Sequence, residues 1–351
     1  MMTSSLRFLG AATTVALLGA CSSASPSSAH PQLCGISDAA GWAATASQTP
    51  AKRAISQAAS EFEGEPKLAT GVSELKTLLE GGCTVVVSEG REMSEAITQA
   101  ANKHSKIRFI TVDADFSSGG KTAQPSNGKS VVSKETQGAY LAGYAAAGTT
   151  TSGTIAGFGG VETSQRRALM DAFVQGIDAY NIAYGTSIRF VGWEPSRLRG
   201  TFTGDDDVAS IKEAAVKALA SGADILVPFA DSGNRGALEA IEAAGNQSTH
   251  RIVWMGDGAP TDSQMIITSV TTSTTAHARE AIVAARGSDF STQPVVDSFE
   301  NEGVTVAPFA AHEALLTPEL KESLASMRQD MINGQLVIST PFDPLVFAQK
   351  A

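Results

Sequence analysis

The sequence predicts an α/β protein built on two parallel β-sheets. Three observations carry this reading. Short β-branched runs alternate with helical patterns over most of the 351 residues, as in chains made of repeated strand–helix units. Several of these runs are apolar throughout rather than alternating, the pattern of parallel strands covered on both faces. One open sheet would need about ten strands, which is long for a twisted sheet, so two sheets of about five or six fit better.

The chain opens with Met1 to Arg7, which holds one positive charge and no acid, followed by an apolar stretch of 13 residues from Phe8 to Ala20. That length suits the core of a secretion signal and falls short of the roughly 20 residues that cross a bilayer. Leu18-Gly19-Ala20-Cys21 resembles a bacterial lipobox, in which small residues precede a lipid-modified cysteine. Ser22 to Ser28 is small and polar without periodicity and reads as a flexible tether. Residues 1–20 are therefore expected to be a lipoprotein signal peptide, and residues 21–31 an acylated Cys21 and its tether. An ordinary secretion signal with an incidental cysteine is the alternative. Acyl chains on Cys21 would hold the protein on the extracytoplasmic face of the cell membrane.

Strand candidates then follow at Leu33 to Ser37, Thr84 to Val87, Ile107 to Val112, Thr154 to Phe158, Ile188 to Trp193, Ile225 to Phe229, Ile252 to Gly256 and Met265 to Val270. Apolar residues at helical spacing mark Ala51 to Phe62, Ser94 to Asn102 and Val208 to Ala220. Gly81-Gly82, Gly222 and Gly245 fall where helices should end. Asp205-Asp206-Asp207 precedes the helix at Val208 and is read as favouring its dipole.

Composition narrows the function. A hydrophobic share of 42% and a charged share of 18% belong to a globular protein. The net charge is −10 and no basic cluster exists beyond Arg166-Arg167, which argues against nucleic acid as a partner. No CxxC occurs and the five histidines are scattered, so no metal site is expected. Without a G-x-S-x-G elbow, a Walker A loop or a G-x-G-x-x-G fingerprint, no catalytic residue and no cofactor is assigned.

Doubly wound sheets bind ligands beyond the carboxyl ends of their strands. The residues found there are Asp38 and Trp42, Glu89, Asp113, Phe158, Phe229 with Asp231, and Asp257. Acids accept hydrogen bonds from hydroxyls, and Trp or Phe stacks on a planar ring. Asp and Gly also serve as caps and turn formers. Their recurrence with aromatics at so many strand ends points to binding rather than catalysis.

Glu135-Thr136-Gln137-Gly138-Ala139-Tyr140-Leu141-Ala142-Gly143-Tyr144-Ala145-Ala146 resembles the E-x-x-G-A-Y-L-A-G-Y-L-A-A helix of the basic membrane protein family of lipoproteins. Gly159-Gly160 followed by Ala172 to Ile177, Ser221 to Pro228, and Thr268-Ser269-Val270 are similar to other stretches of that family. The resemblance spans roughly residues 32 to 340. It implies a substrate-binding protein of an ABC importer, with a nucleoside-like ligand and a permease partner. It also implies a type I periplasmic-binding-protein fold: two doubly wound parallel-sheet lobes, each of strand order 2-1-3-4-5, joined by three crossover segments. Crossings near Val131, Gly258 and Val295 would give lobe 1 as residues 32–130 plus 258–294, and lobe 2 as residues 131–257 plus 295–351. In that order the strand of Cys34 lies beside the one opened by Cys83, within reach of a disulfide, two buried thiols being the alternative.

The chain departs from the family at three places. The first loop reads Gly41-Trp42-Ala43-Ala44 where the family carries Gly-aromatic-Asn-Asp, a family lysine falls at Thr272, and Met255 leaves Asp257 as the single acid of its pair. The resemblance and the rim residues together imply a hydroxylated ring held between Trp42 and Phe229, with Asp113 and Asp257 as acceptors and little discrimination between bases. A surface lipoprotein whose degenerate cleft has given way to protein contacts is the alternative. An extracytoplasmic enzyme has the least support.

Overall fold

A computed structural model describes residues 31–38, 42, 49–62, 64–260 and 262–343. Cys21, its tether and the Ala43-Ala44 pair lie outside the described residues. The first sheet holds β1 (Leu33–Ser37), β2 (Lys67–Thr70), β3 (Val85–Glu89), β4 (Arg108–Val112) and β5 (Gly128–Ser133). The second holds β6 (Thr154–Gly159), β7 (Arg189–Val191), β8 (Ile225–Phe229), β9 (Arg251–Met255) and β10 (Ile266–Thr272). β11 (Val295–Asp297) then pairs parallel to β5, and β12 (Val304–Val306) antiparallel to β10. The orders are β2-β1-β3-β4-β5-β11 and β7-β6-β8-β9-β10-β12, so both five-strand sets run 2-1-3-4-5.

The helices are α1 (Pro50–Ala58), α2 (Leu75–Glu80), α3 (Ser94–Lys103), α4 (Glu135–Thr149), α5 (Ser164–Tyr184), α6 (Val208–Ala220), α7 (Arg235–Ala243), α8 (Thr274–Ala284) and α9 (Pro318–Ile332). Helices α1 and α8 cover one face of the first sheet and α2 and α3 the other. On the second sheet, α4, α5 and α9 lie on one face and α6 and α7 on the other. The central strands are thus covered on both sides, which is why they read as continuous apolar runs. A disulfide joins Cys34 to Cys83 across β1 and the entry to β3, with Cα atoms 5.8 Å apart.

Two strands have no apolar run to announce them. β2 is an edge strand whose Lys67 and Leu68 are exposed, and β5 carries a lysine and two serines. The run from Ile188 to Trp193 is broken at Gly192, which has φ 107° and packs so close to the Gly157 carbonyl that a Cβ would stand 1.9 Å away. Trp193–Glu194 therefore leaves the sheet and pairs with Arg199–Gly200.

The chain passes between the sheets at residues 133–135, 272–274 and 297–304. The second passage differs from the expected one near Gly258, because β10 hydrogen-bonds to β9 and belongs to the second sheet. Ile267 and Val270 fix it there by packing into the core beneath α4. All three passages meet at Asp297. Its carbonyl accepts from Lys134 N at 2.7 Å, while its carboxylate accepts from Thr274 Oγ1 at 3.0 Å and lies 2.7 Å from His277 Nδ1.

Helix α4 is buried almost throughout, from Thr136 to Ala147. It crosses α5 backbone to backbone: a Cβ on Gly143 would stand 2.1 Å from the Phe173 carbonyl oxygen, and one on Gly176 2.0 Å from that of Tyr140. The glycines of the 135–146 stretch are thus spacing residues. Gly143→Ala should lower stability by at least about 1–3 kcal/mol through overpacking. Urea denaturation is the measure, and an unchanged midpoint would show that the two helices have room to spare.

Candidate ligand-binding cleft

Parallel strands of one sheet all end on the same side, and here the carboxyl ends of both sheets face a common cleft. Its volume is about 800 Å³ counting the open mouth, within the range of small-molecule sites. The first sheet contributes Asp38 after β1, Glu89 and Gly90 at the end of β3, and Asp113 after β4. Glu135 follows at the start of α4. The second contributes Thr163 to Arg166 at the start of α5, Phe229 and Asp231 after β8, Met255 and Gly256 after β9, and Thr272 closing β10.

Asp38, Glu89, Asp113, Phe229 and Asp231 are thus brought together as walls of one cavity. Trp42, Phe158 and Asp257 do not line it. Phe158 sits opposite Pro228 in the β6–β8 register and faces α6 and α7, whereas Phe229 faces the α4–α5 side. Strand parity separates the two rings. Trp42 is buried in the core of the first lobe, its Nε1 donating to Glu89 Oε2 at 2.6 Å and to Thr49 Oγ1 at 3.0 Å. A Trp42–Phe229 ring sandwich is not what this arrangement offers. Asp257 stands at the rim, 3.0 Å from Arg53 Nη2.

The acids differ in what they touch. Glu89 accepts from Trp42 Nε1, from the Thr49 hydroxyl and from Ala51 N in the first turn of α1. Burial nevertheless pushes its pKa up to about 7. Asp113 takes the left-handed backbone, φ 52°, directly after β4. Burial, and the Glu89 and Glu135 carboxylates nearby, raise its pKa well above the usual range. Glu135 accepts one hydrogen bond from Gln165 Nε2 at 3.1 Å, and burial raises its pKa to about 7.

Arg166 anchors the other wall. Its guanidinium spans Asp206 at 2.7 and 3.1 Å, and reaches Asp231 at 2.6 Å and the Val161 carbonyl at 2.7 Å. This bidentate, buried pairing fixes Asp231, which itself holds φ 46°. Of the 205–207 acidic run, Asp207 caps α6 by accepting from Ala209 N and Ser210 N, while Asp206 serves as the counter-ion of Arg166. Among the contacts that cross the mouth are Arg53 of α1 to Asp257, and Ser164 Oγ to Glu92 Oε1 at 2.8 Å.

Sequence reasoning missed Glu135, Gln165 and Arg166. Glu135 opens the most recognisable stretch of the chain and Arg166 belongs to its one arginine pair. Both lie in the first turn of a helix, whereas the ends of strands are what doubly wound sheets mark as binding positions in a sequence. Among the described residues, no three His, Cys, Asp or Glu side chains converge as metal ligands, and no helix is long and apolar enough to cross a membrane.

A cleft between two doubly wound lobes of order 2-1-3-4-5 is the architecture of the type I periplasmic-binding-protein fold. In line with this, a solute-binding protein of an ABC transporter system from Aeropyrum pernix K1 superposes with a TM-score of 0.69 at 18% identity, covering 91% of this chain and 96% of that one. The model of the Bmp family, PnrA-like ABC transporter substrate-binding proteins, matches residues 46–291, and the chain belongs to that family. Basic membrane protein A of Borreliella afzelii is 23% identical over 274 residues, 76% of this chain and 77% of that protein. Basic membrane protein A1 of Borrelia garinii subsp. bavariensis is 26% identical over 223 residues, 62% of this chain and 61% of that one.

The raised carboxyls link stability to pH. Glu89 and Glu135 hold a proton more tightly folded than unfolded, so the stability they contribute is complete below about 4.5 and is lost as pH rises to about 7. Each group accounts for an order of about 3 kcal/mol. Thermal unfolding of the ligand-free protein should show Tm falling through this window, and Glu135→Gln should flatten the fall. A Tm that stays level in both proteins would contradict the burial of these charges.

Proposed function

We propose that the protein is a lipid-anchored receptor on the extracytoplasmic face of the cell membrane. It captures a nucleoside-like solute in the interlobe cleft and hands it to an ABC permease. The observation that carries the ligand class is the lining of the cleft: carboxyl groups from several strand ends beside one aromatic wall, Phe229. Carboxyl groups suit the vicinal hydroxyls of a sugar, and a phenyl ring suits the face of a planar base. These groups hold a solute rather than transform it. Arg53–Asp257 and Ser164–Glu92 are the contacts that lobe closure makes or breaks, giving a permease a shape to read.

The anchor rests on Leu18-Gly19-Ala20-Cys21. Cys21→Ser should move the protein from the membrane fraction to the soluble or secreted fraction, and unchanged detergent partitioning would refute acylation.

The ligand class is tested by titrating the purified mature protein with adenosine, guanosine, inosine and uridine in thermal-shift and calorimetric assays. A true ligand at a hundred times its Kd stabilises by about 2.7 kcal/mol. Phe229→Ala and Asp113→Ala should each weaken binding at least about tenfold, in keeping with the loss of a stacked ring or of a hydrogen-bonding carboxyl. No shift with any nucleoside would end the nucleoside reading. Full affinity in both variants would move the site elsewhere.

A further inference from the structure

The cations near the cleft are already committed, and the acids Glu89, Asp113 and Glu135 are not among their partners. Arg166 is taken by Asp206, Asp231 and the Val161 carbonyl. Arg53 is taken by Asp257 and Thr275, with Asp231 at 3.9 Å. Arg91 gives Nη1 to the Pro341 and Asp343 carbonyls at 3.2 and 3.0 Å. Glu89 has three donors, none of them a cation. Glu135 has one neutral amide, from Gln165. Among the described residues the Asp113 carboxylate accepts no hydrogen bond, although the left-handed backbone at the end of β4 delivers it to the cavity.

The charged groups that face these acids make the imbalance worse. Glu89, Glu135, Asp297 and Asp231 surround Asp113, all of one sign. Asp231 and Asp257 add to the repulsion on Glu135, with Arg53 opposing them. Asp231 also bears on Glu89. Carboxyl groups held out of water are tolerated when an opposite charge pairs with them. A metal ion is not the partner this geometry accommodates, since no three such ligands converge among the described residues.

We infer that the counter-charge arrives with the solute: the cleft selects a nucleoside-like molecule bearing a protonated amine, which pairs with Asp113 and Glu135. The inference rests on the nucleoside-like reading above and narrows it. An ammonium in this cavity makes charge-assisted hydrogen bonds to the one carboxylate that lacks any and to the one that has a single amide. It also relieves the repulsion among the acids, and the protons they carried pass to solvent. A neutral nucleoside would bind differently, drawing hydrogen bonds from protonated carboxyls. The two modes have opposite pH signs. Affinity for the cation falls as the medium is acidified through the range where Glu135 and Glu89 take up protons, and affinity for the neutral molecule rises.

The test is calorimetric titration of the purified protein with adenosine and with 5′-amino-5′-deoxyadenosine, at pH 6 and pH 8. The amine is expected to bind at least about tenfold more tightly than adenosine at pH 8, the worth of one charge-assisted pair. Its affinity should drop about tenfold from pH 8 to pH 6 for each proton it displaces. Asp113→Asn, close in shape to the native residue, should bring the two compounds to similar affinity. Glu135→Gln gives a second reading should the first variant unfold early in a melt. Adenosine binding as tightly as the amine at pH 8, or the amine binding more tightly at pH 6 than at pH 8, overturns the cation while leaving a nucleoside receptor in place. Binding of neither compound overturns the nucleoside reading and this inference with it.

Discussion

Parallel pairing is the constraint on which the rest of this structure depends. A strand hydrogen-bonded in parallel to its neighbour must end on the same side of the sheet, so residues far apart in sequence arrive at one edge. Asp38, Glu89 and Asp113 follow three such strands, and Phe229, Met255 and Thr272 end three more in the second sheet. Because both sheets share the order 2-1-3-4-5, the two edges can face each other across a single cleft. The three passages that hold the halves together converge on Asp297, whose buried carboxylate is met by Thr274 and His277 of the second passage. A junction gathered at one hydrogen-bonded point is one about which lobe rotation would leave either sheet little changed.

That geometry has an electrostatic consequence. Strand ends deliver acids readily, because Asp and Glu suit the turns that follow strands, and a cleft fed from two sheets collects many of them. The protein settles the charge unevenly. Around Asp231 it supplies a complete set of partners, with Arg166 wedged between Asp206 and Asp231 and Arg53 approaching from the opposite lobe. Around Asp113 and Glu135 the described residues supply one hydrogen bond, from Gln165 to Glu135. The first arrangement is rigid and self-sufficient. The second is incomplete until something enters the cleft, which is the condition a receptor needs if closure is to depend on its ligand.

Much of the fold was legible because helices and central strands declare themselves by pattern. Leu33–Ser37, Ile225–Phe229 and Val208–Ala220 have the bounds that their apolar runs gave. Edge strands did not declare themselves: Lys67–Thr70 is half exposed and has no run to read. The place of Ile266–Thr272 was hidden for another reason, since a strand buried on both faces looks alike in either sheet, and only its pairing with β9 decides. The same symmetry hid the difference between Phe158 and Phe229. In a sheet with helices on both sides, an apolar residue carries no sign of which face it occupies. The acids at strand ends were legible because a polar residue after an apolar run has few places to go. Glu135 and Arg166 were less so, since a charged residue opening a helix is usually there for the helix.

Trp42 and Glu89 show how two residues read as ligand contacts take a different role in the structure. Each was singled out as a rim residue with something to offer a ligand, the indole as a stacking surface and the carboxylate as an acceptor. In the structure they satisfy each other: the buried indole N–H needs an acceptor, the buried carboxylate needs donors, and Thr49 and Ala51 complete the set. The pair therefore ties the first loop to the start of α1 and spends its polarity on the protein. What is left in the cleft is one aromatic wall rather than two. A ring stacked on one side only is free to slide and turn in its plane, because stacking attraction varies weakly with in-plane angle compared with a hydrogen bond. Orientation, and with it selectivity, then falls to the polar groups, and at the deep end of this cleft those groups are carboxyls. A cleft with one aromatic wall and these acids is suited to discriminate by charge.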